Sequence, residues 1–326
     1  MSQVLVTGGS GYLGTQLIAA LLRDGRRVRA TVRSPQREGD VRAAVRRGGA
    51  GDGGDDGRLE VVTAELTADE GWAAAMAGCE EVHHTALPMV QSDDPDEMIV
   101  PARDGTLRVL RAARDAGVRR VVLTSSFAAV GYSPKPGAEY TEADWTDPDM
   151  PGLPPYPRAK TIAERTAWDF IDHEGGDTEL VSVNPTFILG PTLTTQARSS
   201  LHMVKAMLDG TMPVVRRQRF GVADVRDVAD LHIRAMAAPE AAGRRYLALA
   251  DGPTISFLRM AQILRDKLGP LAQRVPTEEA PGPEPPELII HNDRAKQDLG
   301  WRPRPAETTI VETAESLRDL GLLENP

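Results

Sequence analysis

The 326-residue sequence predicts an α/β protein with an open, doubly wound parallel sheet, and two observations lead to this prediction. Between residues 4 and 185, short apolar runs alternate with segments whose apolar residues recur at helical spacing. A glycine-rich turn separates the first apolar run from the first helical segment. Repeated units of one strand and one helix place consecutive strands parallel, because each helix carries the chain back across the sheet.

In this first half, apolar runs define the strands and helical periodicity defines the helices between them. The predicted strands cover residues 4–7, 28–32, 59–63, 82–85, 121–123 and 180–183. The predicted helices cover residues 13–22, 71–77, 107–117 and 161–171.

After Pro185 the pattern is looser, which predicts a smaller and more irregular α/β part. Its predicted helices cover residues 201–208, 227–237, 255–268 and 307–320. Its predicted short strands cover residues 214–215, 222–225 and 246–250. The proline- and glutamate-rich residues 276–286 predict an exposed loop.

Charge and composition exclude several classes of protein. Asp and Glu (47) outnumber Lys and Arg (38), and the net charge of −9 argues against binding nucleic acid through its phosphates. The single cysteine, Cys79, excludes a disulfide framework and a cysteine zinc cluster. Apolar runs reach only about six residues, far short of the roughly 20 that span a bilayer. With no secretory signal pattern at residue 1, we expect a cytoplasmic protein without a membrane partner.

The turn from Gly8 to Gly14 has the composition of a phosphate-binding turn. It opens the first helix, where backbone N–H groups and the helix dipole favour an anion. Glycine is needed where a side chain would block the close approach of a pyrophosphate. The glycines fit two frames, because Gly9, Gly11 and Gly14 give G-x-G-x-x-G while Gly8, Gly11 and Gly14 give G-x-x-G-x-x-G. We therefore predict a dinucleotide cofactor at this turn.

The position of the glycine turn also predicts how the chain divides. Residues 1–185, with a return segment at about 222–250, are expected to form a dinucleotide-binding domain. Residues 186–221 and 251–326 are expected to form a smaller substrate-binding subdomain.

The end of the second strand distinguishes NAD from NADP. An acidic side chain there binds the ribose 2′-hydroxyl of NAD, whereas an arginine accommodates the 2′-phosphate of NADP. This strand ends in Arg33 and Ser34 without an acid, and Arg37 follows. We predict NADP(H), bound through Arg33 with Ser34 or Arg37 as a helper.

Residues 48–57 hold six glycines and three aspartates and partly match a calcium-binding loop. Asp52, Asp56 and Gly57 fit three of its positions, but a glycine and a threonine occupy two ligand positions. We therefore expect a flexible surface loop and no metal site.

Tyr156 and Lys160 lie four residues apart at the start of a predicted helix, which places them on one face. A lysine cation near a phenol favours the phenolate, and such a phenol suits proton exchange in carbonyl–alcohol chemistry. Ser125 and Ser126 follow the strand at 121–123, whose end faces the ligand crevice of an open α/β sheet. Either hydroxyl is therefore a candidate for hydrogen bonding a substrate carbonyl.

These motifs, in this order, resemble the extended short-chain dehydrogenase/reductases, and within them the dihydroflavonol-reductase-like branch that includes cinnamoyl-CoA reductases. The resemblance spans nearly the whole chain. It is carried by residues 6–14, 30–33, 104–106, 123–126, 156–160, 184–186, 190–191, 224–229 and 299–303. It implies a Rossmann-type sheet and an NADPH-dependent reductase of an aldehyde or ketone.

The resemblance also implies roles for individual residues. Tyr156 would protonate the carbonyl oxygen as NADPH delivers hydride, and Lys160 would hold the nicotinamide ribose and tune Tyr156. Ser126, rather than Ser125, would polarise the carbonyl. The residues expected along the cofactor are Thr7, Gly8, Gly11, Tyr12, Leu13, Gly14, Arg33, Glu65, Leu66, Thr85, Ala86, Tyr156, Lys160, Pro185 and Ser200.

Two positions depart from the family pattern. Glu65 stands where the family usually has an aspartate that contacts the adenine, and Asp40 stands where a second basic residue often assists the 2′-phosphate. Met89, Phe127 and Phe187 follow strand ends and are candidates for an apolar substrate pocket.

Two other functions remain open at this point. One is a nucleotide-sugar epimerase or dehydratase with tightly bound NAD, which usually has an acid where Arg33 stands. The other is a non-catalytic NADP-sensing regulator, which commonly lacks the tyrosine and lysine pair. The expected partner is a small carbonyl compound, and the oligomeric state is open, with a homodimer as one candidate.

Overall fold

The computed structural model describes residues 3–51, 57–88, 96–197 and 200–324 and confirms the predicted α/β class. Its strands are β1 (Gln3–Thr7), β2 (Arg27–Val32), β3 (Leu59–Thr63), β4 (Cys79–His84), β5 (Arg120–Thr124), β6 (Glu139–Tyr140), β7 (Glu179–Pro185), β8 (Phe187–Leu189), β9 (Arg219–Phe220), β10 (Val222–Asp224), β11 (Arg245–Ala248), β12 (Ile255–Ser256) and β13 (Ile289–Ile290). Its α-helices are α1 (Tyr12–Arg23), α2 (Glu38–Arg47), α3 (Trp72–Met76), α4 (Asp96–Asp115), α5 (Pro155–Glu174), α6 (Ser200–Asp209), α7 (Val225–Ala237), α8 (Phe257–Leu268), α9 (Asp293–Leu299) and α10 (Ala306–Asp319). Over these ranges, no helix combines the length and the apolar character that a bilayer crossing demands.

A seven-stranded parallel sheet forms the centre of the described chain, in the order β11-β7-β5-β4-β1-β2-β3. The chain starts at β1, moves outward to β3, and then crosses back to β4 on the other side of β1. The strand order therefore reverses between β1 and β4, which opens a crevice at the carboxyl ends of these strands. Thr7 and His84, the last residues of β1 and β4, pair in register at the bottom of this crevice.

The structure differs from the sequence prediction at several secondary elements. Helix α2 was not predicted, because only Val41, Ala44 and Val45 of its ten residues are buried and the apolar pattern is therefore weak. The strand predicted at 214–215 is wrong, since Val215 makes only an isolated bridge to Glu279. Residues 276–286 form no helix and are mostly exposed, as predicted.

The helix predicted from residue 255 begins two residues later. Ile255 and Ser256 instead form β12, which pairs antiparallel with β9. Ser256 then caps α8, because its hydroxyl oxygen accepts a hydrogen bond from the backbone N–H of Arg259. A serine at the junction ends the strand and starts the helix, so apolar spacing alone did not show the boundary.

Apolar side chains gather into two large clusters on the faces of the sheet and a third beyond it. On one face, helices α1 and α7 contribute Leu17 and Leu231, and on the other, α4 and α5 contribute Leu110 and Phe170. The third cluster lies among α6, α8 and α10. It includes Val204, Met207, Phe257, Met260, Ile310 and Leu317.

His83 and His84 leave β4 on opposite faces, as expected for neighbours in a strand. The Nδ1 atom of His84 lies 2.8 Å from the hydroxyl of Thr7. The ring of His83 lies 5.7 Å from the ring of His232, and both of its nitrogens lack a hydrogen-bond partner within the described residues. Burial, assisted by His232, holds the pKa of His83 well below its usual value, so the folded protein keeps this imidazole neutral.

We expect His83→Leu to raise the free energy of unfolding by about 1–3 kcal/mol at pH 7, because it removes unpaired polar atoms from the core. The gain should grow below pH 6.5. The lowered pKa of folded His83 means that only the unfolded chain takes up a proton there, so wild-type stability falls by up to about 1.4 kcal/mol per pH unit for this group. Urea unfolding at pH 7 and pH 5 measures both effects.

The matched control is His173→Leu, which changes an exposed histidine on α5 and should leave stability unchanged at neutral pH. A His83→Leu protein less stable than the wild type at pH 5 would contradict the prediction.

Candidate functional site

The glycine turn between β1 and α1 packs too closely for side chains. Gly8 has a positive φ of 70°, and a Cβ atom on Gly14 would lie 2.3 Å from the carbonyl oxygen of Gly8. A Cβ on Gly9 would lie 2.8 Å from the Cβ of Ala30 on the next strand. Helix α1 begins after Gly11 without a side-chain cap, so its first N–H groups have no competing side-chain acceptor. Both glycine frames found in the sequence therefore have a steric basis.

Three of the predicted cofactor residues gather beside this turn. The hydroxyl of Thr85 donates a hydrogen bond to the carbonyl oxygen of Thr7 at 2.7 Å. The backbone N–H of Ala86 donates to the Thr7 hydroxyl at 3.2 Å, and a Cβ on Gly8 would lie 3.0 Å from the Ala86 Cα. The segment after β4 is thereby held against the glycine turn.

Tyr12 and Leu13, the aromatic and the aliphatic residue of the turn, both pack against the core of the α1 face. Leu13 is buried in the core of the α1 face. The Tyr12 hydroxyl donates to the carbonyl oxygen of Gly190 at 2.6 Å, and burial next to Asp224 raises the pKa of Tyr12 well above its usual value. Tyr12 thus ties the start of α1 to the chain that follows β8.

The basic residues after β2 have different surroundings. Arg33 is exposed, and its side chain has no hydrogen bond or ion pair with any described residue. Arg37 is engaged, because its guanidinium pairs with Asp40 at 2.8 Å and donates to the Gln196 side chain at 3.2 Å. Arg33 is therefore the freer guanidinium at this strand end.

The remaining predicted cofactor residues lie on separate elements of the fold. Glu65 is exposed and Leu66 is buried after β3, while Pro185 is buried at the end of β7. Ser200 is the first residue of α6, and its hydroxyl donates to the carbonyl oxygen of Ile188.

Tyr156 and Lys160 occupy the first turns of α5, which begins at Pro155, a residue suited to the first helical position. The Lys160 side chain is buried, and its Nζ donates to the carbonyl oxygen of Thr124 at 3.1 Å. Burial lowers the pKa of Lys160 to about 8, while the negative charge of Glu164 opposes that shift. Lys160 is thus held against the end of β5.

The Tyr156 residue is 37% exposed, but burial of its hydroxyl raises the pKa of the phenol. Hydrogen bonding with Ser126 acts in the opposite direction. The Ser126 oxygen also accepts a hydrogen bond from the backbone N–H of Ala128 at 3.1 Å. Ser125 points elsewhere, because its hydroxyl donates to the buried carboxylate of Glu164 at 2.5 Å. The structure therefore brings Ser126, and not Ser125, to Tyr156.

The predicted pocket residues lie in separate apolar clusters. Phe127 is buried and packs edge-on against Tyr140, with ring centroids 5.7 Å apart. Phe187 packs with Phe220 and Phe257 at 4.8 and 5.8 Å. Met89 lies outside the described residues, as do residues 52–56 of the glycine-rich loop considered as a calcium site.

Sequence reasoning missed the ion pair between Glu164 and Arg245, which lies beneath the candidate site. Their charged atoms approach to 2.7 Å, and both side chains are buried. A signal for Glu164 was present, because it follows Lys160 by four residues and therefore shares its helical face. Arg245 gave no signal, because arginine is abundant in this sequence and its partner is 81 residues away.

Comparison with known proteins shows the family of the chain. The family model described as "NAD dependent epimerase/dehydratase family" matches residues 4–248. Cinnamoyl-CoA reductase 1 of Arabidopsis thaliana is 34% identical, covering 98% of this chain and 90% of its own. Anthocyanidin reductase ((2S)-flavan-3-ol-forming) of Vitis vinifera is 32% identical, covering 98% of this chain and 96% of its own.

Solved structures share the fold. Yeast methylglyoxal/isovaleraldehyde reductase Gre2, complexed with NADPH, superposes with a TM-score of 0.81 at 22% identity, covering 98% of this chain and 99% of that chain. Vestitone reductase from alfalfa (Medicago sativa L.) superposes with a TM-score of 0.80 at 24% identity, covering 99% and 100%. The resemblance to the dihydroflavonol-reductase-like branch is confirmed by these relatives, and the chain belongs to the NAD-dependent epimerase/dehydratase family, as an extended short-chain dehydrogenase/reductase.

Proposed function

We propose that this protein is an NADPH-dependent reductase that converts an aldehyde or ketone to an alcohol, with Tyr156 as the proton donor. The observation that carries the proposal is the hydrogen bonding of Ser126 with Tyr156, one helical turn from Lys160, whose Nζ donates to the carbonyl oxygen of Thr124 at the carboxyl end of β5. Family membership gives the broader class, an NAD(P)-dependent oxidoreductase. The names of the relatives, which are reductases, support a carbonyl compound as the substrate.

The residues along the crevice fit a dinucleotide. The uncapped start of α1 and the bare backbone of Gly8, Gly11 and Gly14 suit a pyrophosphate, with Thr7, Tyr12 and Leu13 fixing the turn. The free guanidinium of Arg33 suits a 2′-phosphate. The other residues proposed to hold the cofactor are Glu65, Leu66, Thr85, Ala86, Pro185 and Ser200. NADPH, when bound, supplies the hydride.

The chain's own groups manage the proton. The raised pKa of Tyr156 keeps its phenol protonated at neutral pH, so it can donate to the carbonyl oxygen. Lys160, with a pKa of about 8, is mainly a cation at pH 7 and stabilises the negative charge that the donation leaves on Tyr156. The Ser126 hydroxyl donates to the carbonyl oxygen and polarises the carbonyl.

The division into domains belongs to the same proposal. The sheet of residues 1–185, with the returning segment at about 222–250, would hold the dinucleotide. Residues 186–221 and 251–326 would hold the substrate, and the separate apolar cluster of α6, α8 and α10 supports this assignment. Helix α9 and Trp301 pack into the sheet's own core, so they serve the first part structurally.

Arg33→Ala is expected to lower the preference for NADPH over NADH, measured as the ratio of kcat/KM values, by tenfold or more. This corresponds to at least about 1.4 kcal/mol, which is the loss of the contact with the 2′-phosphate. Arg27→Ala is the matched control, because Arg27 is an exposed arginine at the other end of β2. Equal rates with both cofactors in the wild type, or an unchanged ratio in Arg33→Ala, would disprove the assignment.

Tyr156→Phe is expected to lower kcat for carbonyl reduction on the order of 10²–10⁴-fold, because the proton donor is removed. NADPH binding, measured by fluorescence titration, should remain. Aldehydes, β-keto esters, diketones and flavonoid ketones, each followed by NADPH oxidation, form the substrate panel. Wild-type-like turnover in Tyr156→Phe would refute its role as the donor.

The same panel tests the alternative function, a nucleotide-sugar epimerase or dehydratase, which the family description also covers. If the purified wild type carries tightly bound NAD and reduces no carbonyl of the panel, an epimerase or dehydratase is the better assignment.

A further inference from the structure

The carboxylate of Glu164, which accepts six hydrogen bonds, lies beneath the face of α5 that carries Tyr156 and Lys160. Glu164 is 1% exposed, and its two oxygens accept two hydrogen bonds from Arg245, at 2.7 and 3.2 Å. Its further donors are Ser125 (2.5 Å), Ser182 (2.7 Å), Asn184 (2.7 Å) and Trp168 (3.3 Å). The carboxylate thus joins α5 to β7, to β11 and to the turn after β5.

Stability alone is a poor reason for this arrangement. A buried ion pair gains little net free energy, because desolvation of both charges offsets their attraction. Well-packed apolar residues of similar volume often serve as well or better. The hydrogen bonds and the charge of Glu164 act instead on two groups of the candidate site, Ser126 and Lys160.

Two of the hydrogen bonds to Glu164 reach residues 125–126 after β5, called here the Ser126 turn. Ser125, which is held by Glu164, directly precedes Ser126 in the chain. Asn184 donates both to Glu164 at 2.7 Å and to the carbonyl oxygen of Ser126 at 3.2 Å. Glu164 therefore fixes the backbone on both sides of the Ser126 side chain.

The third link is electrostatic and reaches Lys160. At the end of β5, the ammonium of Lys160 donates a hydrogen bond to the carbonyl oxygen of Thr124. His84 of β4 is neutral, because burial, with Lys160 nearby, lowers its pKa to about 3. The charge of Arg245 is taken up by Glu164 itself. Among the described residues, the carboxylate acting on Lys160 is Glu164, whose charge raises the pKa that burial lowers.

Glu164 remains ionised at neutral pH. Burial would raise its pKa, but Arg245 and the hydrogen bonds from Ser125 and Ser182 hold the pKa below its usual value. We propose that Glu164 is a positioning residue of the proposed reductase. Its carboxylate, fixed by Arg245, orients the Ser126 turn and keeps Lys160 cationic beside Tyr156. This role rests on the proposed function.

The test compares Glu164→Gln with Asp169→Asn, which removes an exposed carboxylate from the same helix. The chain has only five lysines, so ¹³C labelling of their ε-carbons gives five signals, and substitution of the other four assigns Lys160. We expect the Lys160 titration midpoint to fall by about one pH unit in Glu164→Gln and to stay unchanged in Asp169→Asn. The alkaline limb of the kcat profile for carbonyl reduction should move down equally.

The variant Glu164→Asp separates the effect of the negative charge from the effect of side-chain length. It keeps the negative charge, so the Lys160 midpoint should stay near the wild-type value. Its shorter side chain should lose Ser125, so kcat should fall about tenfold with little change in KM, as for a group acting in the transition state. If Glu164 were merely structural, Glu164→Gln would leave the Lys160 midpoint unchanged, and Glu164→Asp would leave the ratio of kcat to KM unchanged.

A folded Glu164→Gln protein with the wild-type Lys160 midpoint and the wild-type alkaline limb would overturn the proposal. If Glu164→Gln does not fold, the double variant Glu164→Gln/Arg245→Gln removes both buried charges, and the same two readings apply to it. Failure of the proposed function looks different. In that case the wild type reduces no carbonyl of the panel, whatever the Lys160 midpoint does.

Discussion

The close approach of α1 to β1 is the constraint on which the crevice depends. The carbonyl oxygen of Gly8 lies where a side chain on Gly14 would begin, so the helix can start directly at the end of the strand. That end is also the point where the strand order reverses, between β1 and β4. The hydrogen bond between Thr7 and His84 then joins the two strands across the reversal. A longer turn or a larger residue would move the start of α1 away from the crevice and lose its free N–H groups.

From this point the structure extends to the other half of the site through buried polar groups. His84, bound to Thr7, stands near Lys160, and Lys160 in turn donates to the end of β5. Each of these groups lies inside the protein, where burial disfavours its charged form. The imidazole responds by staying neutral, whereas the ammonium keeps a pKa of about 8 because Glu164 compensates for part of the burial. The charge pattern at the crevice is therefore set by the residues beneath it.

The sequence predicted the parts of the fold that depend on local pattern. Apolar runs located the strands of the central sheet, and the strand at 59–63 was predicted to the residue. The pattern failed where burial is slight, as in α2, or where an element has two residues, as in β12. For the site, motif spacing brought forward Tyr156, Lys160 and the serine pair. It could not reveal the contact between Glu164 and Arg245, because that contact is made only when β11 joins the sheet.

The choice between the two serines shows why the missed contact matters. The backbone at Ser126 is extended, with φ −164° and ψ 152°, so the side chains of Ser125 and Ser126 leave the chain on opposite sides. Glu164 binds one of them, which leaves the other on the side of Tyr156. The Ser126 oxygen accepts from the Ala128 N–H, which leaves its own hydrogen available for donation. Two identical side chains thus have different contacts, because the buried carboxylate of Glu164 anchors only one side of the turn.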